Sequence, residues 1–119
     1  MKIAVTSKGP DLDSQVDPRF GRAAFILVVD PETFEFEVIN NAENANAFKG
    51  AGIQAATMVS DRGAEVLLTG YCGPNAFRAL NAAKIKVASD VKGTVKDAVK
   101  SFVEGNLTYS DQANVEGQW

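Results

Sequence analysis

The sequence predicts an α/β domain: a five-stranded mixed sheet with helices on its faces, in the order β-β-β-α-β-α-β-α. Three observations carry that prediction. The first forty residues hold apolar or alternating segments with no helical period between them. From residue 51 onward, helical periodicity and short apolar runs take turns. Between the run Val66-Leu67-Leu68-Thr69 and a helical pattern lies Gly70-Tyr71-Cys72-Gly73-Pro74-Asn75-Ala76-Phe77, a strand–turn–helix layout.

Lys2 to Ser7 reads as the first strand, with Ile3 and Val5 alternating with polar neighbours. Residues 8–22, rich in Gly, Pro, Asp and Arg, form a long loop. Ala24 to Val29 is continuously apolar, the pattern of a strand buried on both faces. After the turn Asp30-Pro31-Glu32-Thr33, the alternation of Phe34, Phe36 and Val38 with Glu35 and Glu37 predicts a half-exposed edge strand, completing an antiparallel meander. Residues 40–50 are Asn- and Ala-rich without a period and read as a mobile loop, as does the polar segment 8–22. A helix follows over roughly residues 51–62, with Ile53, Ala56 and Val59 inward. Next come a strand at 65–69, the glycine turn, and a helix to about Ala83 with Phe77, Leu80 and Ala83 inward. Ile85 to Ala88 is a short strand. Val95, Ala98, Val99, Phe102 and Val103 then repeat at helical spacing. Residues 1–105 make one domain, and 106–119 a weakly docked tail.

Composition removes several function classes. The 119 residues suffice for one core without staples. A net charge of −3 argues against nucleic acid as a partner. No apolar run approaches the ~20 residues of a membrane span, so the expectation is a cytoplasmic chain with no membrane partner. One cysteine excludes an internal disulfide, and the absence of histidine removes the commonest general base and metal ligand. A structural zinc site or a self-ligated iron–sulfur cluster is therefore not expected. Catalysis would have to rest on carboxylates, lysines or the lone thiol.

In open α/β sheets, ligands collect beyond the carboxyl ends of the strands. Three loops fall there: 8–22, 40–52 and 70–76. Gly70 and Gly73 can take positive φ and let a ligand approach the backbone. Pro74 suits the first helical turn, where its missing N–H costs nothing. The amides of Asn75, Ala76 and Phe77 would point along the positive end of the helix dipole, where anions bind. The plainer alternative is an ordinary strand-to-helix turn, with Asn75 capping its own helix.

Gly70 to Phe77, with Leu80 and the run Ala82-Ala83-Lys84-Ile85-Lys86-Val87, resembles the signature of the dinitrogenase iron–molybdenum cofactor biosynthesis family. Val16-Asp17-Pro18-Arg19-Phe20-Gly21-Arg22 resembles that family's first-loop motif, and Gly50-Ala51-Gly52-Ile53-Gln54-Ala55-Ala56 its glycine-rich helix start. The resemblance spans about residues 2 to 104. It implies a ribonuclease-H-like three-layer α/β/α fold. It also implies a binding protein and not an enzyme, with non-covalent binding, carriage or assembly of a molybdenum-containing cluster, either a molybdenum–copper sulfide or a related Mo/Fe–S cluster. Cofactor-assembly or acceptor proteins would be the partners. Many relatives have a histidine in place of Arg19. This chain has none, so the mode it suits is a cluster whose metals are already saturated by sulfide.

Such a cluster is a compact polyanion, held by positive charge, N–H donors and a partly apolar wall. Arg19 and Arg22 offer planar donor forks. Lys8 and Lys49 add charge, Gly21 and the 70–76 turn add backbone, and Phe20, Phe48 and Tyr71 could shield its faces. The alternatives stay open: arginines solvated and paired with Asp11, Asp13 or Asp17, and Phe20 in the core. Cys72 is either a packed thiol or, at a helix N-terminus that favours thiolate, a soft-metal contact. Asp11, Asp13 and Asp17 could suggest a two-metal nuclease, but the first strand offers no carboxylate to complete one. The rival functions are a cluster-free interaction or regulatory domain of the same fold, or a small-anion or nucleotide module. The missing Lys-Ser/Thr after the glycines weakens the last.

Overall fold

A computed structural model describes residues 1–46 and 50–110 of the chain. Its sheet has five strands in the order β3-β2-β1-β4-β5. These are β1 (Ile3–Ser7), β2 (Phe25–Val29), β3 (Phe36–Asn40), β4 (Val66–Leu68) and β5 (Lys86–Ala88). β1 runs antiparallel to β2 and parallel to β4, and β2–β3 is antiparallel, so β1, β3, β4 and β5 all end at the same edge of the domain. The helices are α1 (Ala42–Ala45), α2 (Ala51–Asp61), α3 (Pro74–Ala82) and α4 (Val95–Val103).

The two-residue period of the strands builds both cores. Ala4, Ile26, Val28, Ile39, Leu67 and Val87 face one side, where Ala55, Ala56 and Val59 of α2 and Phe77 and Leu80 of α3 cover them. Ile3, Val5, Leu27, Val29, Leu68 and Ala88 face the other side and meet Val95, Ala98 and Val99 of α4. The three layers and the mixed sheet match the expected fold. Each fully buried Val, Leu or Ile contributes about 1.5–3 kcal/mol, so the sheet centre carries most of the stability.

Several local expectations are corrected. Residues 40–50 are not one loop: β3 reaches Asn40, and α1 follows, opened by the bond from the Ala45 amide to the Asn41 carbonyl. Phe34 does not start the edge strand, because its φ of 62° closes the 30–34 turn through a bond from its amide to the Asp30 carbonyl. Phe36 and Val38 stay exposed, while Ile39 is buried. On α2 it is Ala51, Gly52 and Ala55 that turn inward with Ala56 and Val59, and Ile53 lies outside. The small residues allow α2 to pack close to α3, a gain that a larger Ile would prevent. Ala83 and Val103 are likewise exposed.

Loop 8–22 is tied down at many points. The Val16 amide donates to the Gly93 carbonyl and the Asp17 amide to the Thr6 carbonyl, while Val95 and Lys96 donate back to Ser14 and Leu12. The first tail residues are docked as well: Leu107 packs on the α4-side core, the Tyr109 ring lies 6.1 Å from that of Phe102, and the Ser110 amide donates to the Val87 carbonyl.

Candidate functional site

The loops after β1 and β4 meet at the carboxyl edge of the sheet. The Tyr71 amide donates to the Pro18 carbonyl, and the Phe20 amide donates to the Tyr71 carbonyl at 3.0 Å. Arg19 and Tyr71 thus form an isolated parallel bridge. Gly70 makes this approach possible, because a β-carbon there would sit 2.7 Å from the Pro18 Cα. Its role is closeness, not positive φ. Gly73 has φ −74° as the residue before α3, with Pro74 in the first turn.

The same edge collects two helix N-termini. A β-carbon on Gly21 would lie 2.8 Å from both the N and Cα of Gly52, and one on Gly52 would lie 2.7 Å from the Cβ of Ala76. Segments from three separate parts of the sequence are therefore in backbone contact. The starts of α2 and α3 lie side by side with their dipoles at one edge. Among the described residues, the amides of Ala51, Gly52 and Ile53 in α2 and of Asn75 and Ala76 in α3 donate to no acceptor. The Phe77 amide, expected among the free donors, is instead bonded to the Gly73 carbonyl at 2.9 Å.

Charge enters through Arg19. Its side chain is about half exposed, and its Nε lies 3.7 Å from Asp17 Oδ1. The Arg19 amide donates to the same oxygen at 3.1 Å. Asp17, itself buried, therefore orients the arginine by two groups at once. Arg22 is partly buried and donates through Nη1 to the Ala45 carbonyl at 3.0 Å, so it clamps the end of α1. Lys8 opens the hairpin 8–15, where its amide donates to the Gln15 carbonyl at 2.9 Å. Lys49 and Phe48 lie outside the described residues.

Phe20 is 1% exposed within the α2-side core and forms no ligand wall; Tyr71 is exposed at the edge. Cys72 is also fully buried in that core. Burial pushes its thiol from 9.0 up to about 12, opposite to the effect expected of the nearby helix start, because taking a thiolate out of water is costly. The thiol donates to the Gly73 carbonyl at 3.8 Å. Among the described residues, no group of three or more His, Cys, Asp or Glu side chains is placed to hold a metal ion. Asp11, Asp13 and Asp17 thus do not assemble a cation site.

Sequence reasoning overlooked two asparagines that hold the cradle together. Asn41 Nδ2 donates to the carbonyls of Gly21 (3.1 Å) and Ala23 (2.8 Å). Asn44 Nδ2 donates to Ala51 O at 2.9 Å and to Asn41 Oδ1 at 3.0 Å. The signal was present in the four asparagines between residues 40 and 46. That pattern reads as loop composition, because the partners of Asn41 lie about 20 residues earlier in the chain and Asn44 reaches forward into α2 at Ala51.

Fold and edge together define a class: a three-layer α/β domain whose strand ends carry a glycine-packed, amide-rich cradle. The family model for the dinitrogenase iron-molybdenum cofactor matches residues 1–105, and the chain belongs to that family. It is similar to the apo form of the orange protein from Desulfovibrio gigas, with 49% identity, 96% of each chain covered and a TM-score of 0.93. A Thermotoga protein provisionally called NifB is 36% identical, covers 98% of each chain and gives a TM-score of 0.83. An uncharacterized protein of Methanocaldococcus jannaschii is 27% identical over 90% of this chain and 89% of its own length. Membership associates the chain with binding or assembly of a metal cofactor. Among the described residues, no helix is long and apolar enough to cross a membrane.

Proposed function

We propose that this protein binds a preformed, sulfide-saturated molybdenum-containing cluster, with a molybdenum–copper sulfide as the first candidate, and carries it or serves as its assembly scaffold. It does so without catalysing a reaction and in the cytoplasm. The observation that carries the reading is the pairing of two helix N-termini at Gly52 and Ala76, beside Arg19.

The donor set suits that cargo. A polyanion with soft acceptor sulfurs needs N–H donors and positive charge, and the free amides of α2 and α3 supply donors that need no reorganisation. Arg19, oriented by Asp17, adds a guanidinium fork. Gly21 and Gly52 keep side-chain atoms away from the helix starts. Among the described residues no group of three or more ligating side chains is placed to hold a metal ion, which favours a cargo whose metals are satisfied by a sulfide shell. Cys72 acts as a packing residue under the cradle, its thiol too buried to reach cargo without displacing core. Lys8, Arg22, Lys49 and the backbone of residues 70–76 complete the field around the site.

The test is incubation of the apo-protein with tetrathiomolybdate and a copper salt, then gel filtration, metal analysis and visible spectroscopy. Molybdenum and copper should co-elute with the protein in a fixed ratio, with charge-transfer absorption. Protein that emerges colourless and metal-free would overturn the reading. Copper retained without molybdenum would overturn it equally.

A further inference from the structure

Strand β3 is one of the two edges of the sheet. Among the described residues its backbone pairs only with β2, which leaves the outer row of N–H and C=O groups open. Phe36 and Val38 pair with Val29 and Leu27, whose side chains belong to the α4-side core, so both point to that face. They remain 40% and 41% exposed, because no element among the described residues covers the sheet that far out. An open edge with apolar side chains is a template for another strand. Edges are usually blunted by lysine, proline or a bulge, and the sequence Phe-Glu-Val-Ile-Asn of β3 has none of these.

Acidic groups surround this edge. A cleft of about 410 Å³ at the carboxyl end of β3 is lined by Asn40, Glu43, Asn44, Gln54 and Met58. A second, of about 210 Å³, lies at its amino end, where Asp30, Glu35 and Glu37 gather around Val28 and Phe36, with Lys2 also in its lining. Of these carboxylates, only Glu37 has an ion pair among the described residues, with Arg62 at 3.2 Å. Each cleft combines carboxylate oxygens with an apolar wall, the complement of a lysine or arginine with a buried stem and a charged tip.

We propose that β3 is a docking strand for an extended basic segment of a partner protein, which adds to the sheet edge as a further strand. Main-chain bonds to β3 give the affinity. Alternate apolar residues rest on Phe36 and Val38, and alternate basic residues enter the two clefts. A second copy of this chain is the poorer occupant, because pairing β3 with itself brings Glu35 and Glu37 of both copies together at net charge −3 each. The site lies next to the cradle: β3 leads directly into Asn41, whose side chain holds the Gly21 and Ala23 carbonyls. The surface stands whatever anion the cradle takes.

The probe is a capped peptide of alternating lysine and valine, about seven residues long to span a strand. It is titrated into the isotopically labelled full chain, and amide shifts are followed by NMR. Shifts centred on residues 36–40 are expected, with affinity at least ~10-fold above that of the matching glutamate–valine peptide. Val38→Lys, on an exposed position, should lower the affinity by ~10-fold or more with the fold intact, and Phe36→Lys provides a second variant. Shifts lying elsewhere, or equal binding of the two peptides, would overturn the proposal. So would a dimer in sedimentation that Val38→Lys dissolves, since that gives the edge to a second copy.

Discussion

A β-carbon placed on Gly52 comes 2.7 Å from the Cβ of Ala76, so the starts of α2 and α3 are held together by the absence of a single methyl group. Gly52→Ala gains up to ~1 kcal/mol of helix propensity. It also forces two β-carbons below contact distance, and overpacking of this kind typically costs about 1–3 kcal/mol. The clash wins, because a backbone-anchored Cβ cannot rotate away. Urea denaturation should show a net loss of about 1–2 kcal/mol, with cluster retention falling as the helix starts separate. Adding Ala76→Gly should restore retention; failure to do so would mean that the contact does not shape the cradle.

Arg19 and Arg22 differ in what they hold. Arg19→Ala removes a half-exposed side chain and should alter stability by no more than ~0.5 kcal/mol, while lowering retention of the molybdenum–copper sulfide. Arg22→Ala also removes the bond to the Ala45 carbonyl, so hydrogen exchange should quicken over residues 41–46. Raising salt should weaken retention in the wild type and less so in Arg19→Ala. Unchanged metal content in a folded double variant would remove both arginines from the site.

Cys72 predicts a pH dependence with a definite sign. Below about pH 9 the thiol is protonated in the folded and unfolded states alike, and contributes no slope. Between 9.0 and about 12 the unfolded chain releases this proton and the folded chain keeps it, so stability falls as pH rises through that window. Cys72→Ala should therefore lose less stability than wild type between pH 8.5 and 10.5, as read from urea midpoints. Native protein should also resist iodoacetamide at neutral pH, alkylating only on unfolding. Parallel stability–pH curves for the two proteins would contradict the burial argument.

The Thr6 hydroxyl donates to the Asp17 carbonyl at 2.6 Å and lies 2.9 Å from the Thr69 hydroxyl, all fully or nearly buried. This links the end of β1 to the loop that presents Arg19. Thr6→Val leaves the Asp17 carbonyl short of a donor and should cost about 1–3 kcal/mol. It should weaken cluster retention through displacement of Asp17 and Arg19. Thr6→Ser keeps the hydroxyl and should retain binding. Equal retention in Thr6→Val and wild type would confine the hydroxyl to a purely structural role.

Local chemistry made much of the fold legible. Ala24 to Val29 has no polar residue to place outside, so it had to be a covered strand. Pro74 after two glycines marked a helix start, and the Val95–Val103 pattern marked a helix with one apolar face. Its edges were less legible. Ile53 is the most hydrophobic residue early in α2 yet lies outside, because the α2–α3 contact selects for small side chains and not for apolar ones.

By itself the sequence determined the class of fold, the order of the strands and the three longer helices though not the short α1, and the three glycine-bearing segments worth comparing with each other. These follow from periodicities and backbone preferences that act within a few residues. Only the tertiary structure decided that Gly21, Gly52 and Ala76 touch, and that Asn41 and Asn44 are braces and not loop filler. It also decided that Cys72 is a sealed thiol. Each of those outcomes depends on which distant backbone approaches within about 3 Å and on how much water it excludes. Burial and close approach are properties of pairs of segments, and no local pattern encodes them.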